Sequence, residues 1–138
     1  FCPVICVGAE AETEVIRYLR ACLGERVRWL MKPDYTTLSS VLAGAAGHLG
    51  NDSGVSHLVS CVGLKEGNTK TVSPFSVVLF GPSSSVQWAP RGARILHPSP
   101  DMREITVGAV WKELKKGIDE RGDIGPLGKE DQGSQQKN

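Results

Sequence analysis

The residues Gly50-Asn51-Asp52-Ser53-Gly54-Val55-Ser56-His57-Leu58 put a carboxylate, hydroxyls and an imidazole within a short reach of chain. A short apolar stretch from Ala43 to Leu49 leads into them. Val55, Leu58, Val59 and Val62 lead out at i, i+3, i+4 and i+7, the spacing of a helix face. Asp52 and Ser53 are good N-cap residues, and Gly54 allows another molecule close to the backbone. A strand that turns sharply into a helix leaves backbone N–H groups unpaired. Those donors and the helix dipole favour an anion such as phosphate. His57, about one turn in, can donate to a phosphate oxygen or a sugar hydroxyl. The plainer alternative is an ordinary capped turn, in which Asp52 only satisfies N–H groups and His57 is a surface or half-buried histidine.

A second strand end supports the first. Phe75-Ser76-Val77-Val78-Leu79-Phe80 reads as a strand buried on both faces, and Gly81-Pro82-Ser83-Ser84-Ser85 follows it at once. In open α/β sheets, ligands sit beyond the carboxyl ends of the strands.

The elements that must carry these ends read in order. A first strand covers Val4 to Val7, and a helix follows from Glu10 to Cys22 on an apolar stripe of Val15, Ile16, Leu19 and Cys22. Glu10, Glu12 and Glu14 suit the helix dipole. Val27 to Met31 is a second strand, broken by Lys32-Pro33-Asp34. A helix from Tyr35 to Ala45 is capped by Asp34 or Thr36. At that junction Tyr35 either meets a planar base or closes the core edge. Ala46 to Gly50 is the third strand, and Ser53 to Cys61 the next helix. Lys65 to Pro74 is expected to be a polar surface loop, long for its place in such a fold. After the Phe75–Phe80 strand, a loop from Gly81 to Gly92 contains Trp88, expected to be a hydrophobic plug. A short strand over Ala93 to Leu96 and a helix from Ile105 to Lys116 complete the order. The sum is α/β: a Rossmann-like three-layer sandwich with a mostly parallel sheet, spanning residues 1–118, with a polar tail over 119–138.

The chain has 138 residues, 40% hydrophobic and 22% charged, with 16 Lys and Arg against 15 Asp and Glu. The balanced charge gives no basic field for nucleic acid. No apolar stretch approaches the ~20 residues of a spanning helix. Cys2, Cys6, Cys22 and Cys61 form no C-x-x-C pair and are expected to be small buried apolar residues in a reducing compartment. The opening Phe1-Cys2-Pro3-Val4 runs straight into a core strand, so the chain is expected to be the C-terminal part of a longer protein. No G-x-G-x-x-G follows the first strand, which argues against a dinucleotide dehydrogenase.

Asn51-Asp52-Ser53-Gly54-Val55-Ser56-His57-Leu58, then Leu79-Phe80-Gly81-Pro82-Ser83, then Trp88-Ala89-Pro90-Arg91-Gly92 resemble, in order, three blocks of glycosyltransferase family 9. That family includes the ADP-heptose:lipopolysaccharide heptosyltransferases. The resemblance covers roughly Pro3 to Leu114. It implies the GT-B architecture, with this chain as the C-terminal, donor-binding half. By the same resemblance, Asp52, Ser53, Gly54 and His57 lie at the donor diphosphate and sugar. Glu12 lies near the donor ribose, and Pro33 where the adenine rests.

The implied substrate is a nucleotide sugar, ADP-heptose in the first place, with no cofactor and no metal. The acceptor is a glycolipid of lipopolysaccharide type. Its contacts, and the catalytic aspartate, belong to the missing N-terminal domain, so the chain alone is expected to be inactive in transfer. No nucleic-acid partner and no transmembrane segment are expected. The implied location is cytoplasmic, at the inner face of the inner membrane, with peripheral membrane association of the full protein. Two alternatives stand beside this. One is an enzyme like the UDP-N-acetylglucosamine 2-epimerases, which carry an acidic residue where His57 stands. The other is a non-catalytic nucleotide-binding module.

Overall fold

The strand Val27–Met31 lies parallel to Val4–Gly8, in register from Val4↔Val27 to Gly8↔Met31. These are β2 and β1 of a computed structural model that describes residues 3–9, 13–62, 64–66 and 70–122. The chain packs as two units, Phe1–Val41 and Leu42–Asn138, each described by itself.

In the first unit, helix α1, Thr13–Leu23, connects the two strands. Its Ile16 is buried against the sheet. A Cβ on Gly8 would lie 2.6 Å from Cδ1 of Ile16, so only glycine lets the helix come this close. Lys32 has φ of 46°, a left-handed conformation that side chains disfavour. Its N–H donates to the Gly8 carbonyl at 3.0 Å, which holds the turn as β2 ends. Asp34 then caps helix α2, Tyr35–Ala43. Its carboxylate accepts from the Thr37 N–H at 2.7 Å and the Thr37 hydroxyl at 3.1 Å. These bonds, the backbone one first, hold the Asp34 carboxyl below its ordinary pKa.

The second unit holds a parallel sheet in the order β3-β6-β7, with β3 at Gly47–Asn51, β6 at Phe75–Leu79 and β7 at Arg94–Leu96. Val77, Val78 and Phe80, in and just beyond β6, are fully buried. Helix α3, Gly54–Cys61, covers one face, and its Ser56 hydroxyl comes near Gly50. Helix α5, Val107–Gly122, covers the other. The contact there is Phe75, whose ring lies where a Cβ on either Gly47 or Gly117 would go. The architecture is α/β with parallel strands in open sheets, compatible with a Rossmann-like fold.

Several elements depart from the sequence expectation. The expected loop over Lys65–Pro74 contains a short antiparallel pair, β4 at Leu64–Glu66 and β5 at Lys70–Val72. The Gly67-Asn68 step between them is a hairpin signal, and a two-strand ribbon pairs backbone groups that a loop would leave to water. The expected loop after Phe80 includes helix α4, Ser85–Trp88, capped by Ser84. Helix α5 passes position 118, the expected end of the domain, and reaches Gly122. Gly117 does not stop it, because its bare Cα seats Phe75 and Arg121 donates to the Ala46 carbonyl at 2.8 Å. The expected tail from 123 onward lies outside the described residues.

Burial corrects several side-chain expectations. Cys22 and Cys61 are exposed, and only Cys6 is half-buried, where desolvation raises its thiol pKa. Cys2 lies outside the described residues. Trp88 is 57% exposed and plugs no core. Tyr35 is 72% exposed, so it does not close the core edge.

Two outcomes are expected. Gly117→Val drives methyl groups into Phe75 and lowers stability by about 1–3 kcal/mol. Gly108→Ala, whose added Cβ meets nothing nearer than Thr106 Oγ1 at 4.0 Å, raises it by about 1 kcal/mol. Denaturant melts of the two variants check the opposite signs. The second outcome concerns His48, whose Nδ1 is 3.0 Å from the Ser76 hydroxyl. Burial pushes its pKa below the ordinary 6.5. The unfolded chain then binds a proton before the folded one does. Stability present above about pH 6.5 falls as pH drops below it, until the folded imidazole itself protonates. A pH series of melts shows this slope in the native chain and a shallower one in His48→Gln.

Candidate functional site at the strand ends

The three parallel strands of the second unit end at one rim. The Asp52 N–H donates to the Leu79 carbonyl at 3.1 Å, and the Phe80 N–H to the Leu96 carbonyl at 2.9 Å. The ladder thus runs one step past the last paired residues and aligns the loops that follow.

Asp52, Ser53, Gly54 and His57 stand together at the β3–α3 junction. Ser53 occupies the N-cap position in an extended conformation, φ −156° and ψ 166°. Its hydroxyl makes no capping bond. Its carbonyl accepts from the His57 N–H at 3.3 Å, the first bond of the helix. The N–H groups of Gly54, Val55 and Ser56 precede that bond and have no partner within the helix. A Cβ on Gly54 would meet nothing within 4 Å, so the space over the helix start is open. Asp52 is 21% exposed and His57 46%, with Nε2 of His57 3.9 Å from Oδ1 of Asp52. That separation is too long for a hydrogen bond. Both side chains therefore keep their bonding capacity for something else.

The tie between helix and strand is made elsewhere. The fully buried Ser56 donates its hydroxyl to the Asn51 carbonyl at 2.6 Å. Asp52 and Ser53 read from sequence as cap residues, yet Ser56 anchors the turn. Its cue in the sequence was faint, because a serine in a first turn reads as an ordinary polar position.

His97 was also missed. It follows β7 directly, and both ring nitrogens are engaged. Nε2 lies 2.9 Å from the Gly81 carbonyl, and Nδ1 2.9 Å from the Ser85 hydroxyl. A carbonyl can only accept, so Nε2 carries the proton and Nδ1 accepts from Ser85. The ring also sits 6.0 Å from that of Phe80. His97 thereby pins both ends of the Gly81–Ser85 loop to the rim. The sequence shows His97 only as a histidine before a proline, with no partner within a turn.

The other expected site residues belong to the first unit or beyond description. Pro33 is half-buried between Lys32 and the Asp34 cap. Glu12 lies outside the described residues. The second unit thus brings together Asp52, Ser53, Gly54 and His57. Among the described residues, no group of three or more His, Cys, Asp or Glu side chains gathers to hold a metal ion. No described helix is long and apolar enough to cross a membrane.

The rim can present main-chain N–H donors, the Ser53 hydroxyl and the His57 imidazole to an anion, with Asp52 ready to accept from a hydroxyl. Replacing His97 with alanine should release the Gly81–Ser85 loop while leaving α3 in place. Amide exchange at Gln87, Trp88 and Ala89, whose N–H groups donate to the Ser84 and Ser85 carbonyls, should quicken by about tenfold or more, as the two hydrogen bonds of His97 are lost. Protection at Val59 and Ser60 should hold if stability is otherwise kept. Comparison with protein-family models, with curated proteins and with solved structures finds no match, so the function is read from the chain's own residues.

Proposed function

We propose that this chain is the donor-binding half of a GT-B glycosyltransferase of the family 9 type. It binds the diphosphate of a nucleotide sugar, ADP-heptose in the first place, at the start of α3. The observation that carries the reading is the junction itself. Unpaired N–H groups, a free Ser53 hydroxyl and an open Gly54 lie beside a carboxylate and an imidazole that do not bond each other.

In an inverting transfer, a base takes the acceptor's proton, and the acceptor oxygen bonds the anomeric carbon as the C–O bond to the nucleoside diphosphate breaks. Negative charge grows on the leaving diphosphate. Helix N–H groups and a hydroxyl already aimed at that place stabilise the charge without reorganising. His57 donates to a phosphate or sugar oxygen, and Asp52 accepts from a sugar hydroxyl. The Gly81–Ser85 loop, fixed by His97, borders the same rim. The base and the glycolipid acceptor site belong to a second domain, and transfer takes place at the cytoplasmic face of the membrane.

Calorimetric titration with ADP, UDP and GDP tests this. Saturable binding of ADP, tighter than of the other two, is expected, and His57→Ala should weaken it by about tenfold. Binding of UDP in preference to ADP would move the donor away from an ADP-sugar. Absence of nucleotide binding by a protein carrying both domains would overturn the proposal.

A further inference from the structure

Another cleft belongs to the first unit alone. It has a volume of about 280 Å³ and is lined by Thr13, Ile16, Arg17, Arg20 and Met31. The four α1 residues recur at i, i+3, i+4 and i+7, so they form one face of that helix. Ile16 and Met31 meet over Gly8, Ile16 being buried, and make an apolar floor. Arg17 and Arg20, three residues apart on adjacent turns of α1, line the same cleft.

The two arginines are prepared differently. The Arg20 guanidinium lies 5.2 Å over the ring of Trp29, which points from β2 to the same side of the sheet as Met31. Such stacking holds the guanidinium in one orientation and leaves its edge donors available. Arg17 makes no ion pair with a described residue, and neither does Glu14, one turn before it. Two guanidinium forks at this spacing match the oxygens of a phosphate better than a single carboxylate does.

We propose that this cleft binds a small phosphomonoester, its phosphate held between Arg17 and Arg20 and its apolar body resting on Ile16 and Met31. The volume is just under the ~300–1,000 Å³ of ordinary ligand pockets, which limits the ligand to a compact one. None of the lining residues belongs to the β3–α3 junction or is one that the family resemblance assigns to the nucleotide, although Thr13 follows Glu12 and Met31 precedes Pro33 by two residues.

The test uses phenyl phosphate, a phosphomonoester with one flat apolar group, titrated into the isotope-labelled chain and followed by NMR. Saturable shifts are expected at the amides of Ile16, Arg17 and Arg20 and at the Met31 methyl, with a Kd on the order of 1 mM. The pair Arg17→Gln with Arg20→Gln should weaken binding by about tenfold or more with an otherwise native spectrum. If that pair disturbs the fold, Arg17→Gln alone is read instead, because its side chain packs on no aromatic ring. The proposal fails if shifts do not saturate, if the variants bind equally well, or if phenol binds as tightly as phenyl phosphate. Shifts centred on Gly54 and His57 would also overturn it, by showing that phosphate prefers the strand-end rim.

Discussion

The burial of β6 on both faces is the constraint on which the second unit depends. Val77 and Val78 point to opposite sides of the sheet, and neither is exposed at all. A strand in that position needs a helix over each face, and α3 and α5 supply them. It also needs a paired neighbour on each edge, and β3 and β7 are both parallel to it. Three parallel strands end on the same side, so the loops after Asn51, Leu79 and Leu96 meet at one rim. The candidate site follows from the burial of a strand that contributes little chemistry of its own.

Rigidity at this rim comes from bonds between side chains and main chain that spare the exposed polar groups. Ser56 anchors α3 to the end of β3 through the Asn51 carbonyl. His97 holds the Gly81 carbonyl and accepts from Ser85. These groups are buried or half-buried, where hydrogen bonds are least contested by water. Ser53, Gly54 and His57 lie outside this scaffold. A site that must meet a ligand's charge benefits from such a division, because its donors are held in place without being consumed.

Glycine has a second part in the packing. Gly47 and Gly117 give Phe75 its place between β3 and α5, and Gly8 lets Ile16 close on the first sheet. In each case the missing Cβ is filled by a large apolar side chain from the neighbouring element. The conformational freedom of Gly117 should weaken α5, and the docking of Phe75 offsets that weakness.

The order of the elements, apart from β4, β5 and α4, was legible in the sequence because it rests on local period. Apolar runs at Val4–Val7, Val27–Met31 and Phe75–Phe80 and helix stripes after each junction need no tertiary information. So did the cluster Asp52, Ser53, Gly54 and His57, whose residues are near in sequence and share one turn. Tertiary structure alone decided what depends on distant partners. The expected helix ends at Lys116, and its continuation through Gly117 depends on Phe75, which packs there from β6. Trp88, Cys22 and Cys61 read as core residues, yet they are exposed. His97 and Ser85 gain their roles from a contact across twelve positions, made when β7 pairs with β6. Arg17 and Arg20 read as the polar face of a helix until Met31 and Trp29 arrive beside them from β2. Sequence period determines which residues face inward or outward on an element, and only packing determines what those faces meet.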